Sequence, residues 1–288
     1  NAITGGSELG RKINRDLAWL AARHGLGMAV GSQTIALDEP VWRDSFAAAR
    51  KANPSGLLIA NTGADAGLSR ACEAVAMIEA DALQVHLNVP QEMAMAEGDR
   101  SFRGLLANIS ELTAQLGVPV IAKEVGFGLS RESALRLFDV GVRIFDNGGS
   151  GGTNFIRIED KRAGMFMGEL DDWGIPTAAS LAEVLSLKLP ARIIASGGIR
   201  SAHDIVKAIA MGADLCGIAG WFLRVLLEQD RSCLDRLIEG MIYRIKAALL
   251  MCGARNWNEL KQKPLVILGE TRSWLQARGV KFADRGSV

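Results

Sequence analysis

The chain has little proline, 7 residues in 288, and only four cysteines, Cys72, Cys216, Cys233 and Cys252. No two cysteines form a CxxC pair, so the spacings of metal clusters, redox motifs and disulfide scaffolds are all missing, and this usage fits a reducing cytoplasm. There is no block of five or more like charges, and 33 Lys and Arg stand against 32 Asp and Glu. That balance suits neither a nucleic-acid nor a membrane surface and favours a small-molecule partner. No apolar run reaches the roughly 18 residues that span a bilayer, and the N-terminus lacks the basic and apolar regions of a signal peptide, so a soluble protein is expected. Internal repeats, low-complexity segments and interdomain linkers are also lacking. At 49% hydrophobic residues the chain can bury one large core, and a single domain over 1–288 is the natural reading, since α/β barrels commonly run about 250 residues as one domain.

What is present is a regular alternation. Short apolar runs recur at Met28 to Val30, Leu57 to Ala60, Leu83 to Leu87, Val118 to Ala122, Val142 to Phe145, Ile193 to Ala195 and Leu215 to Ala219. Each has the length of a strand. Between them, stretches such as Arg70 to Ile78, Phe102 to Leu116, Ser133 to Phe138 and Asp204 to Met211 carry apolar residues three or four apart, as helices do. Two helices are predicted to open on capping boxes, Ser180 with Glu183 and Ser201 with Asp204. With a first strand ending near Ile3 the count of strands is eight. Buried parallel strands alternating with helices close a barrel or stack as an open doubly wound sheet, and counting does not separate the two. After the last strand, Leu234, Leu237, Ile238, Met241, Ile242, Ile245 and Leu249 form one helical stripe, which would pack on the chain's own barrel or on a second subunit.

Polar and glycine residues collect where these strands end: Ser32 and Gln33, Asn61, His86 to Asn88, Lys123 and Glu124, Asp146, Ser196 to Gly198, Ala219 and Gly220. That is the distribution of a barrel whose βα-loops build one active-site mouth. The turn Ser196 to Arg200, before the helix at Ser201, and Gly217 to Gly220 one strand later suit a phosphate, although glycines there would also serve tight turns. The stretch Asp146 to Phe155 is too glycine-rich for an ordinary connection and leads into a loop of about 20 residues of the kind that closes over ligands. It is not a Rossmann site, because no helix is expected directly after it. His86 to Glu92 is the densest polar constellation. One carboxylate with phosphate oxygens is a common Mg²⁺ arrangement, yet His86 could be a structural histidine and Glu92 a helix-start acid. Lys123 lies within an apolar strand, where a buried ammonium needs an anion.

Met28-Ala-Val-Gly-Ser-Gln33, His86-Leu-Asn-Val-Pro-Gln-Glu92, Ala96 to Arg100, Lys123-Glu-Val-Gly-Phe-Gly128, Gly148 to Phe155, Ala195 to Arg200 and Gly269-Glu-Thr271 together closely resemble the type 2 isopentenyl diphosphate isomerases over essentially the whole chain. The resemblance implies a flavin-binding TIM (β/α)8 barrel with extra C-terminal helices. It further implies interconversion of isopentenyl and dimethylallyl diphosphate with reduced FMN and Mg²⁺, NAD(P)H serving to reduce the flavin, and a homo-oligomer, tetramer or larger. By motif match, Thr4, Gly5, Ser32, Asn61, Lys123, Thr153, Gly197, Gly198, Arg200, Ala219 and Gly220 would hold FMN. Ser32, Gln33, Thr34, His86, Asn88 and Gln91 would line the substrate's side, with Gln91 and His86 in catalytic positions and Glu92 reaching the metal.

Two departures stand out. Family members carry several tens of residues before the Thr4-Gly5-Gly6 motif, including an Arg-Lys pair that closes on the diphosphate, and the sequence in hand starts without them. Asn147 stands where the family usually has an aliphatic residue and should place a polar group beside the flavin loop. Rival FMN barrels fit less well. None of His24, His86 and His203 has the Arg context of an α-hydroxy-acid oxidase, and no cysteine lies between Gly148 and Met167, where an IMP dehydrogenase needs its nucleophile.

Overall fold

The structure, a computed structural model, describes residues 1, 2 and 4–281. Seven parallel strands form one sheet in sequential order: β1 (Met28–Ala29), β2 (Leu58–Gly63), β3 (Ala82–Leu87), β4 (Val120–Glu124), β5 (Ile144–Asp146), β6 (Arg192–Ser196) and β7 (Leu215–Gly217). An open doubly wound sheet reverses its strand order at a switch point, and here there is none, so the order is that of a TIM-type α/β barrel. The seven apolar runs all coincide with strands. The eighth, expected to end near Ile3, falls on a residue outside those described. On either side of it, Asn1 N donates to the Ile218 carbonyl, just past β7, at 2.8 Å, and the Thr4 carbonyl accepts from Gly31 N, just past β1, at 2.9 Å.

Strand side chains alternate between the helix-facing side and the barrel interior. Phe46, Leu58, Leu83, Val85, Phe145, Leu181 and Ala195 belong to the large core between sheet and helices. The interior positions are layered. At the bottom, Ile59, Ala82, Ile121, Ile144 and Ile194 form a separate apolar cluster. Two residues further along each of the same strands stand Asn61, Gln84, Lys123, Asp146 and Ser196, all buried and all polar. A further step of two reaches Gly63, His86, Val125, Gly148 and Gly198 at the mouth. Period two thus converts an apolar floor into a polar ring and then into a glycine-rich opening.

The helix Ala202–Met211 opens on the expected capping box, Ser201 and Asp204 satisfying each other's backbone N–H groups. The other capping box does not form. The helix Thr177–Ser186 begins earlier, just after Pro176, so Ser180 and Glu183 lie inside it. The Ser180 hydroxyl donates to the Leu129 carbonyl at 2.7 Å, while Glu183 accepts from Arg131 N, Trp274 Nε1 and Arg278. Nor is the segment after Asp146 one long loop: Asn154 caps a helix over Phe155–Ala163 through its side-chain oxygen. The helix Arg231–Met251 buries Leu234, Ile238 and Met241, and Leu234 and Ile238 pack with Leu20 and Val225 of the same chain. Its stripe therefore serves the chain's own barrel. Tyr243, Leu250 and Met251 of that helix, and Val266 and Leu268 beyond it, remain exposed.

Candidate active site

The strand ends enclose a cavity of about 870 Å³, lined among others by Ser32, Asn61, His86, Asn88, Gln91 and Lys123. Thr153, Gly197, Gly198, Arg200, Ala219 and Gly220 close the same space. Twelve of the expected positions are thus brought together from the ends of all seven strands. Five others are placed differently. Gln33 is fully buried: its Nε2 donates to the Ala74 carbonyl at 2.9 Å and its Oε1 accepts from Asn61 N at 3.0 Å, so it braces β2 from behind. Thr34 is exposed, its hydroxyl 3.0 Å from that of Ser32. The Thr4 hydroxyl meets Asn14 at 3.2 Å, and a Cβ on Gly5 would stand 2.0 Å from the Phe46 ring, so that glycine is required by packing. Glu92 lies behind Asn88, accepting from Asn88 Nδ2 at 2.6 Å and from Asp99 N at 2.9 Å.

The anion that Lys123 needs comes from the protein. Lys123 and Asp146 are register partners on β4 and β5, with Nζ 3.3 Å from Oδ2. Asp146 is fully buried and also accepts from Gln84 Nε2 at 3.2 Å, Asn1 Nδ2 at 2.8 Å, Gly148 N at 3.3 Å and the Ser196 hydroxyl. The network continues through Gln84 Oε1, which accepts from Asn61 Nδ2 at 3.3 Å, to Asn61 Oδ1, 2.8 Å from His86 Nδ1. Burial lowers the His86 pKa to about 4, with Lys123 acting in the same direction and Asp65 opposing, so the imidazole is neutral at pH 7. Glu124, next to Lys123, gathers three backbone N–H groups, Val125, Gly126 and Phe127, on one oxygen. Burial nevertheless pushes its pKa up to about 7.

These two shifts have opposite signs in stability. Between about 4 and 6.5 the unfolded chain binds more protons at His86 than the folded one, so that group's contribution rises with pH. Between 4.5 and about 7 the folded chain binds more at Glu124, so its contribution falls with pH. The two nearly cancel below pH 6.5. In the Glu124→Gln variant the falling limb is removed and stability should rise from pH 4.5 to 6.5 by about 1–3 kcal/mol, read from urea midpoints across that range.

Asn147 does not project beside the cavity. It is fully buried, its Oδ1 accepting from Ser196 N at 2.9 Å and its Nδ2 donating to the Thr177 carbonyl at 3.0 Å. It ties β6 to the start of the helix Thr177–Ser186. Asn147→Ala leaves both groups unpaired and should cost about 1–3 kcal/mol in chemical denaturation, with the cavity intact.

The fit of a phosphate-bearing cofactor rests on the loops after β5, β6 and β7. Gly197 has φ +100°, and a Cβ there would lie 2.1 Å from the Gly149 carbonyl oxygen. Gly198 at φ +81° is likewise pressed on Gly151. The helix N-terminus at Ala202 is already filled by Asp204, which accepts from Arg200 N and Ser201 N. Among the described residues the next one is free: the helix Gly220–Glu228 has no side-chain cap there, lines the cavity at Gly220 and Trp221, and leaves the buried Trp221 Nε1 without a partner among them. Uncapped N–H groups with an orphaned donor nearby are what an anionic group would satisfy. A volume near 870 Å³ also lies within the range of cofactor sites.

Sequence reasoning missed Glu159. This buried carboxylate accepts from Gln91 Nε2 at 3.2 Å and pairs with Arg162. It sits in the helix that Asn154 starts, where a loop was expected. Gln84 was also missed, although the period of two from Ala82 places it in the polar ring.

Residues 36–267 match the FMN-dependent dehydrogenase family. The chain is 51% identical over 278 residues to the isopentenyl-diphosphate delta-isomerase of Moorella thermoacetica, covering 96% of this chain and 80% of the relative. It is 50% identical to the isopentenyl-diphosphate delta-isomerase of Bacillus licheniformis, over 97% of this chain and 80% of that one. The Staphylococcus aureus isopentenyl-diphosphate delta-isomerase is 41% identical, over 98% and 81%. Among solved structures, a mandelate oxidase variant superposes with a TM-score of 0.62 at 16% identity, over 93% of this chain and 78% of that one. A flavocytochrome b2 variant gives 0.64 at 17%, over 94% and 72%. At such identities the likeness is one of fold. With four-fifths of each relative's length matched and the cavity formed by the quoted motifs, the chain belongs to the isopentenyl-diphosphate delta-isomerase family, in its FMN-dependent type 2 form.

Proposed function

We propose that the cavity binds FMN and isopentenyl diphosphate and that the enzyme interconverts this substrate with dimethylallyl diphosphate. The observation that carries the reading is the convergence of a polar ring, a glycine-rich anion cradle and Gln91 on one opening, in a chain 51% identical to a named isomerase. Gly197, Gly198, Arg200, Ala219 and Gly220 would hold the cofactor's phosphate, and Asn61, Lys123 and Thr153 the rest of it. When bound in its reduced form, FMN supplies proton transfer at carbon, and the reaction involves no net redox change.

The chain's own residues orient and exclude. The isomerisation needs a proton delivered to the terminal alkene carbon and another removed from C2, which is general acid–base work. Gln91 is a poor acid or base by itself, and Glu159 fixes the direction of its carboxamide. Ser32 and Asn88 complete the substrate's side. Glu92 would be the protein's carboxylate toward Mg²⁺, although it stands behind Asn88, whose Nδ2 it accepts from at 2.6 Å, and would have to exchange that contact for the metal. No cluster of three or more His, Cys, Asp or Glu suited to a metal occurs among the described residues, so diphosphate oxygens would supply most of the ligands. NAD(P)H as reductant, a cytoplasmic location and a homo-oligomer of four or more subunits belong to the same reading. The exposed Tyr243, Leu250, Met251, Val266 and Leu268 support the last, and no helix among the described residues is long and apolar enough to cross a membrane.

The test is product analysis after anaerobic incubation with reduced FMN, isopentenyl diphosphate and Mg²⁺, repeated with EDTA. Dimethylallyl diphosphate that disappears on chelation supports the reading. Flavin binding without product contradicts the isomerase assignment, and absence of flavin binding contradicts the cavity's assignment.

A further inference from the structure

The ring around Asp146 has a direction. A carboxylate oxygen accepting from Gln84 obliges Gln84 to present its NH₂ group, Nε2, at 3.2 Å. Its carbonyl then faces Asn61, which must donate through Nδ2 at 3.3 Å. Asn61 is left with its Oδ1 toward His86, 2.8 Å from Nδ1. An amide oxygen cannot donate, so the proton of this contact sits on the imidazole. The Asn61 backbone is itself pinned by Gln33 Oε1 at 3.0 Å, which keeps the amide from rotating away with its strand. Gln84 and Asn61 are both buried, so water does not compete for these contacts.

We propose that Gln84 and Asn61 are positioning residues that hold His86 in its Nδ1–H tautomer, so that Nε2 offers a lone pair and takes an N–H donor of the bound ligand. In this state His86 does not ligate a diphosphate, whose oxygens are acceptors facing another acceptor. A reduced flavin ring carries N–H groups of the required kind, and this identification of the donor rests on the flavin reading of the cavity. The tautomer itself does not. Burial disfavours a second proton on the ring, with Asp65 opposing and Lys123, 3.3 Å from the carboxylate that starts the chain of contacts, acting in the same direction as burial.

The measurement is a long-range ¹H–¹⁵N correlation spectrum of the uniformly ¹⁵N-labelled protein at pH 7, without and with reduced FMN. Only three histidines contribute, His24, His86 and His203, and the His86→Gln spectrum identifies the signal. The wild type should show a protonated Nδ1 and a bare Nε2 for His86, and reduced FMN should shift Nε2 as it gains a donor. Gln84→Met cuts the relay while keeping similar volume, and should move a substantial fraction of His86 toward the Nε2–H form that isolated histidine prefers. A merely structural Gln84 would leave the tautomer alone. A wild-type Nε2–H signal, or a folded Gln84→Met protein with the wild-type pattern, overturns the proposal, and the wild-type spectrum decides even if that variant does not fold. Bound FMN that leaves Nε2 unshifted overturns the donor assignment. Failure to bind FMN overturns the flavin reading and leaves the tautomer result standing.

Discussion

Asp146→Asn should be the most destabilising single substitution in the barrel interior, costing about 3–5 kcal/mol. Asp146 is fully buried and gathers Lys123, Gln84, Ser196, Gly148 and Asn1 on two oxygens. Asparagine keeps the shape but not the acceptors. One of its two ends is a donor, which must meet either the Lys123 ammonium side with its Gln84 neighbour or the Ser196 and Gly148 side. The ammonium loses its only carboxylate partner within salt-bridge distance among the described residues, and an uncompensated buried charge is far more costly than an ion pair replaced whole. The double variant Lys123→Met, Asp146→Leu should therefore recover part of the loss. Urea unfolding of the single and double variants measures this. A single variant within 1 kcal/mol of the wild type, taken as roughly the size of a surface change, would mean that the ring does not hold the barrel together.

The second large effect falls on activity. Gln91→Ala should lower kcat by about 10²–10⁴ with little change in FMN affinity, since the side chain is assigned to the reacting end of the substrate. Glu159→Leu should lower it by about 10². This carboxylate does not line the cavity but holds Gln91 at 3.2 Å, and its other partner, Arg162, is more than half exposed and loses little. Anaerobic kinetics with flavin titrations check both. If Glu159→Leu retained full activity, the Gln91 carboxamide would not need its partner to be oriented.

Much of this was legible because strands and helices announce themselves by period. The apolar runs located all seven described strands, and the polar residues at their ends gave most of the cavity wall. The capping signature worked at Ser201, where hydroxyl and carboxylate sit at a true helix start, and failed at Ser180, because the same spacing inside a helix has its N–H groups already bonded. Asn154 was overlooked for the converse reason: its helix has no acid at the third position to complete the signature. Losing that helix also lost Glu159. Gln33 and Glu92 illustrate a different limit. A motif fixes where a residue lies along the chain, and only the tertiary fold decides whether its side chain faces the cavity, as Asn88 does, or braces the residue that faces it. Contacts such as Lys123 with Asp146 require the register between strands, which no single segment contains.

The account centres on an isomerase that needs its flavin reduced but consumes no electrons. The most direct measurement incubates the protein anaerobically with FMN and isopentenyl diphosphate, oxidised in one sample and dithionite-reduced in the other, while flavin absorbance and product are followed together. Many turnovers to dimethylallyl diphosphate in the reduced sample only, with the flavin still reduced at the end, is the predicted result. Product formed equally with oxidised flavin, or in proportion to flavin oxidation, would contradict it.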